Sequence, residues 1–123
     1  MPYEQKSSTS FSYPMEKVIA TAISSVQHMG GKVVNKDEKN AKLIAQMDKK
    51  LFGNYLGDRS QLEIQFTPAE DNSTQMDIFA FPLNAVGQKL MFGARPGVVD
   101  TILRVLTREL EDRLAGKPPA ESL

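Results

Sequence analysis

Apolar residues recur at spacings of three and four in the first third of the chain. Met15, Val18, Ile19, Ala22, Ile23 and Val26 fall on one stripe, with Lys17, Thr21, Ser24, Ser25 and Gln27 opposite. That period predicts an amphipathic helix over residues 14–29. Pro14 suits its start, where the fixed φ and missing N–H do no harm, and Glu16 complements the dipole in the first turn. Gly30-Gly31 ends it, because one glycine can take the left-handed conformation of a C-terminal cap. A second stripe of Val99, Ile102, Leu103, Leu106, Leu110 and Leu114 predicts a longer helix from near Gly97, stopped by Gly116-Lys117-Pro118-Pro119. Asp100 and Arg104, Arg108 and Asp112, and Glu109 and Arg113 stand four apart on what this pattern makes its solvated side.

Between the helices the period changes to two. Lys32–Asn35 and Ala41–Asp48 flank a polar turn over 36–40 and predict an antiparallel hairpin. Leu62, Ile64 and Phe66 alternate with Gln61, Glu63 and Gln65, and Met76, Ile78 and Ala80 with Gln75, Asp77, Phe79 and Phe81, across a turn at 68–73. This predicts a second hairpin. Residues 6–12 form either a ragged leader or a short edge strand centred on Thr9 and Phe11. Residues 49–60 either continue a strand through a kink or form a loop packed by its own aromatics. One sheet face is apolar and needs a cover, and the two helices supply it. The expected fold is α+β, a two-layer sandwich in which an antiparallel sheet of four to five strands is covered by an N-terminal helix and a long C-terminal helix. In an alternative arrangement the second sheet face also packs, through Phe79 and Phe81, onto a second subunit.

Composition narrows the classes. At 123 residues the chain is expected to be one domain, residues 1–123, with flexible termini at 1–8 and 117–123. Fifteen basic and 15 acidic residues give zero formal charge, which disfavours a nucleic-acid partner relying on bulk positive field. Hydrophobic residues at 41% and charged residues at 24% are ordinary for a globular chain. Such a chain buries about two-thirds of its unfolded surface without staples. With no cysteine there is no disulfide, thiolate metal site or cysteine nucleophile, and with the single His28 there is no site needing two histidines. The start lacks a secretory pattern, and no apolar run approaches the roughly 20 residues that span a bilayer. A cytoplasmic location is the default, although a chain already trimmed of a signal would read alike.

The order of elements resembles the START-like, helix-grip superfamily. Ser10-Phe11-Ser12-Tyr13-Pro14-Met15-Glu16-Lys17-Val18 is similar to its strand-to-helix transition, and the stretch from Gly97-Val98-Val99-Asp100 to Leu114 to its closing helix. The intervening chain is shorter, so the resemblance is to a reduced version, by layout over most of the chain. It implies an apolar-ligand cavity between the closing helix and the sheet. Most members bind apolar ligands and a minority are enzymes, and no catalytic residue carries over.

The residues offer several candidate sites, each beside a plainer explanation. Phe52, Tyr55, Leu56 and Phe92 would rim such a cavity, with Met76, Ile78, Ile102 and Leu106 lining it, and the alternative for each is ordinary core or loop packing. The six methionines offer an adaptable lining, equally explained as core filling. Phe79, Phe81 and Leu83, with the apolar stretch to Phe92, form either an interaction surface, which a homodimer would use, or a folded-back part of the core. Arg95, beside the start of the last helix, is a weak anion-binding candidate, more simply a loop residue. His28 offers a general base or a single metal ligand, more simply a surface histidine. Asp48, Asp58, Glu63 and Asp77 offer carboxylates for acid–base work, more simply a solvated face. No metal or cofactor is expected. Three functions follow in order: a non-enzymatic domain holding an apolar small molecule or lipid between the C-terminal helix and the sheet; a protein-interaction or self-assembly module; and a small carboxylate-based enzyme.

Overall fold

The alternating segments form a five-stranded antiparallel sheet in a computed structural model that describes residues 3–118. Its strands are β1 (Gln5–Phe11), β2 (Lys32–Asp37), β3 (Lys42–Met47), β6 (Arg59–Ala69) and β7 (Ser73–Leu83), in the spatial order β1-β7-β6-β3-β2. A separate ribbon joins β4 (Lys50–Leu51) to β5 (Asn54–Tyr55). Helix α1 spans Met15–His28 and α2 spans Val98–Leu114. This is the expected α+β sandwich. Leu43, Ala45, Met47, Leu62, Ile64, Phe66, Met76, Ile78 and Ala80 all point to the helical layer and are buried. Both helices cover that face and pack against each other, α1 toward β2 and β6 and α2 toward β1 and β7.

Local chemistry sets the element ends. Gly30 takes φ +84°, while the Gly31 N–H bonds to the Val26 carbonyl at 2.9 Å and the Gly30 N–H to Gln27 at 3.0 Å. These are the two bonds of a Schellman cap. Gly31 lies close against β3, where a Cβ would displace the end of the Met47 side chain. A bulge between Val33 and Asn35 interrupts β2, an edge strand.

Three expectations change. Residues 5–8, placed in a flexible terminus, belong to β1, because every residue from Gln5 to Phe11 finds a register partner on β7. Residues 119–123 of the expected C-terminal tail lie outside the described residues. Strand β7 runs on to Leu83, after which the chain turns at 84–88 and doubles back. Leu90 then donates to the Pro82 carbonyl at 2.9 Å and Leu83 bridges Lys89. This return lays the Lys89 ammonium 4.7 Å from the Phe81 ring and 5.5 Å from Phe79, so Phe81 and Leu83 are buried rather than offered as surface. Finally, Glu109 is not on a solvated side but fully buried, accepting a bond from Arg113 Nε at 2.9 Å. Helix α2 meets both α1 and the sheet, and the row Val98, Ile102, Val105 and Glu109 is buried beside the row Val99, Leu103, Leu106 and Leu110.

Candidate functional site

Two rows run along α1, each at a spacing of four. Val18, Ala22 and Val26 are completely buried. Met15, Ile19 and Ile23 pack against the core but keep exposed surface. This second row forms one wall of a groove of about 480 Å3. Its floor is Ala41, Leu43 and Phe66, and its rim carries Glu16, Lys36, Asp37, Glu38 and Lys42. The volume is within the range typical of small-molecule sites, about 300–1,000 Å3.

The far wall is the turn between β2 and β3, which several bonds hold in place. Asp37 accepts from the Asn40 backbone N–H at 3.2 Å and from Asn40 Nδ2 at 2.8 Å. Those bonds, the side-chain one foremost, hold its carboxyl below the usual aspartate value, so it is a carboxylate at neutral pH. Lys36 pairs with Glu38 at 3.2 Å. Ala41 turns through φ +52°, which aims its carbonyl at the Phe66 N–H, 2.9 Å away, and Gln65 Nε2 reaches the Asn40 carbonyl at 2.9 Å. The groove can therefore hold an apolar body on a fixed floor and meet charge of either sign at its rim.

This is not where the sequence placed a ligand. Met76, Ile78, Ile102 and Leu106 are at most 2% exposed. With almost no surface open to a water-sized sphere, inside or out, they are packed core and leave no room between α2 and the sheet at their positions. Phe52 and Leu56 are half-buried against the core, Phe52 with its ring centroid 5.5 Å from that of His28. Tyr55 and Phe92 are exposed. These four lie at the other end of the sandwich from the groove. Strand register shows this, since Lys42 pairs with Gln65 at the groove end and Met47 with Ser60, and Arg59 with Leu83, at the opposite one.

Of the remaining candidates, Arg95 stands over the Tyr55 ring at 5.8 Å, and its backbone N–H donates to Asp58 at 2.8 Å. Glu63 and Asp77 lie on the outer sheet face. Gln61 donates to Glu63 at 3.0 Å. Bonds from Ser8 and Gln75 lower the Asp77 carboxyl from its usual value. Asp48 accepts from the Lys49 N–H at 2.7 Å. From sequence, Ile19 and Ile23 read only as part of the apolar stripe, and Met15 as that or as one of six methionines of an adaptable lining. The available clue was that six apolar positions on one 14-residue helix exceed what a single buried row needs.

No family model matches the sequence, and no curated protein matches it. Solved structures do share its backbone arrangement. The crystal structure of Ara h 8.0201 superposes with a TM-score of 0.61 at 7% identity, over 93% of this chain and 95% of that one. CalU16 from Micromonospora echinospora gives 0.58 at 11% identity, over 96% and 78%. An HSP90 activator from Plasmodium falciparum gives 0.57 at 11% identity, over 96% and 99%.

The chain has a helix-grip-like fold.

At these identities the likeness is one of backbone path, and the residues of the groove are this chain's own.

Proposed function

We propose that this helix-grip domain is a non-enzymatic binding module. Its ligand is a small amphipathic molecule with an apolar body and a polar or charged end. The ligand lies in the groove between α1 and the β2–β3 turn, not beneath α2. The observation that carries this reading is the partly buried row of Met15, Ile19 and Ile23, facing Leu43 and Phe66 inside a ring of charged side chains. Apolar surface in such a groove gains from excluding water, while the rim fixes orientation. The helix-grip resemblance supports it, since binding of apolar ligands is what that resemblance implies.

Ala20 is exposed and lines the groove, so Ala20→Trp fills the site without touching the core. Anilinonaphthalene sulfonate, an apolar fluorophore with one anionic end, should bind the native protein, and a medium-chain fatty acid should displace it. Ala20→Trp should weaken both by about tenfold or more, as expected for displacing a buried apolar group. Absence of binding, or binding unchanged in Ala20→Trp, would overturn the reading.

A further inference from the structure

Among the described residues, five large apolar side chains are exposed, and four of them lie in two neighbouring loops. Tyr55, 59% exposed, tops the β4–β5 ribbon, while Val86, Met91 and Phe92, the last 85% exposed, lie in the segment between β7 and α2. The loops touch. The Arg95 guanidinium faces the Tyr55 ring, and its stem fills the space where a side chain at Gly57 would stand. Arg59 donates to the Asn84 carbonyl at 3.1 Å. Residues 49–59 and 84–97 carry five basic side chains and one acidic; Lys89 is paired with Glu4 and Asp48 adjoins Lys49, so a positive excess of two remains at this end of a chain whose formal charge is zero.

We propose that this end of the sandwich docks on an anionic lipid bilayer, with Phe92, Val86 and Tyr55 dipping into the headgroup region and Lys49, Lys50 and Arg95 facing lipid phosphates and carboxylates. Three features select this occupant. The positive excess is complementary to an anionic surface and repels a second copy of the same face. The apolar groups project from two separate tips, a shape that suits a deformable medium better than a fixed protein pocket. The turn at 84–88 and the base of the β4–β5 ribbon also satisfy part of their own backbone, which entry into a poorly hydrated layer favours. The Asn84 carboxamide accepts from the Val86 and Gln88 N–H groups at 3.1 and 2.9 Å, and the Lys49 carbonyl accepts from Leu56 and Gly57 at 2.7 and 3.3 Å. Val86 is thus held outward by a bonded turn. An aromatic ring beside basic side chains is the usual make-up of an interfacial anchor.

The inference is independent of the α1 groove, which opens at the other end. Its test is co-sedimentation of the full chain with vesicles of phosphatidylcholine alone and of phosphatidylcholine mixed with phosphatidylserine. The mixed vesicles should bind it, less so as salt rises. Phe92→Ala should weaken binding by about tenfold, Lys49→Glu with Lys50→Glu by about tenfold or more, and Val86→Ser by less. Because these side chains are exposed, the fold should survive each change, with anilinonaphthalene sulfonate binding in the α1 groove as the control. Ala20→Trp should leave vesicle binding intact. Three results would overturn the proposal: no binding to mixed vesicles, equal binding by the Phe92→Ala and charge-reversed variants, or concentration-dependent self-association abolished by Phe92→Ala. The last would assign the tips to a protein interface.

Discussion

Helices α1 and α2 read alike as sequences, each an apolar stripe with polar residues opposite, yet the fold uses them differently. Helix α2 sits between α1 and the β1–β7 side of the sheet, and nine of its residues are buried, including Glu109. Helix α1 buries four, leaving the row of Met15, Ile19 and Ile23 against the rim of the sheet. The difference comes from position. Helix α2 meets neighbours on two sides, whereas one flank of α1 faces the short β2–β3 hairpin. Surplus apolar surface on a helix is therefore informative: where nothing in the fold covers it, it marks a candidate site.

The largest expected effect falls on α2. Leu106 is fully buried, and Leu106→Ala should cost about 3 kcal/mol of unfolding free energy, the transfer loss plus the cavity left behind. Urea denaturation would measure it, and a cost below about 1 kcal/mol would mean that the contact between α2 and the sheet is loose. Glu109 comes next. Its side chain is completely buried against Arg113, which is 24% exposed. Glu109→Ala removes a buried acceptor and leaves the guanidinium partly hydrated, so the expected cost is about 2 kcal/mol, below that of breaking a fully buried pair. Glu109→Gln keeps an acceptor for Arg113 Nε and should recover part of it in the same assay.

The layout was legible because it rests on period: two helical stripes and two alternating hairpins leave few ways to cover one apolar sheet face. What escaped depends on neighbours that spacing does not encode. Glu109 looks like half of an exposed pair with Arg113, and only the packing of α2 against two partners buries it. Phe81 and Leu83 read as an interface or as folded-back core alike, because nothing local decides whether residues 84–90 return along β7, as they do. The ligand site was placed beneath α2 by resemblance, but Met76, Ile78, Ile102 and Leu106 are large enough to fill that space themselves. The groove at α1 was half visible, as two apolar rows on a helix that needs one.

A third change separates the helices by function. Ile19 is only half-buried, so Ile19→Ala should cost about 1 kcal/mol of stability, well below Leu106→Ala. Its effect on fluorophore binding should be at least as large, because the side chain forms the wall of the groove. Titration and denaturation of the same preparation give the two numbers. If stability falls by as much as in Leu106→Ala while binding is unchanged, α1 is a second structural helix and the contrast collapses.

The smallest effect concerns acid. Bonds from Asn40 lower the Asp37 carboxyl in the folded state relative to its ordinary value of 3.8. In acid the unfolded chain thus takes up this proton at a higher pH than the folded one, and stability must rise with pH across that window. The contribution is fully present above the ordinary value and is lost as pH falls through the lower, folded one. Asp37→Asn should accordingly flatten the stability profile below roughly pH 4 and leave it parallel to the native curve at neutral pH. The residue is at the surface, so the change is expected to be slight. Its value lies in location: the β2–β3 turn is the outer wall of the groove, whereas Leu106 and Glu109 report on the packed side. Carbon-13 titration of the Asp37 carboxyl, compared with acid unfolding of both proteins, would separate the site from the bulk. A carboxyl that titrates at its ordinary value would show that Asn40 does not hold the turn, leaving the groove with one rigid wall instead of two.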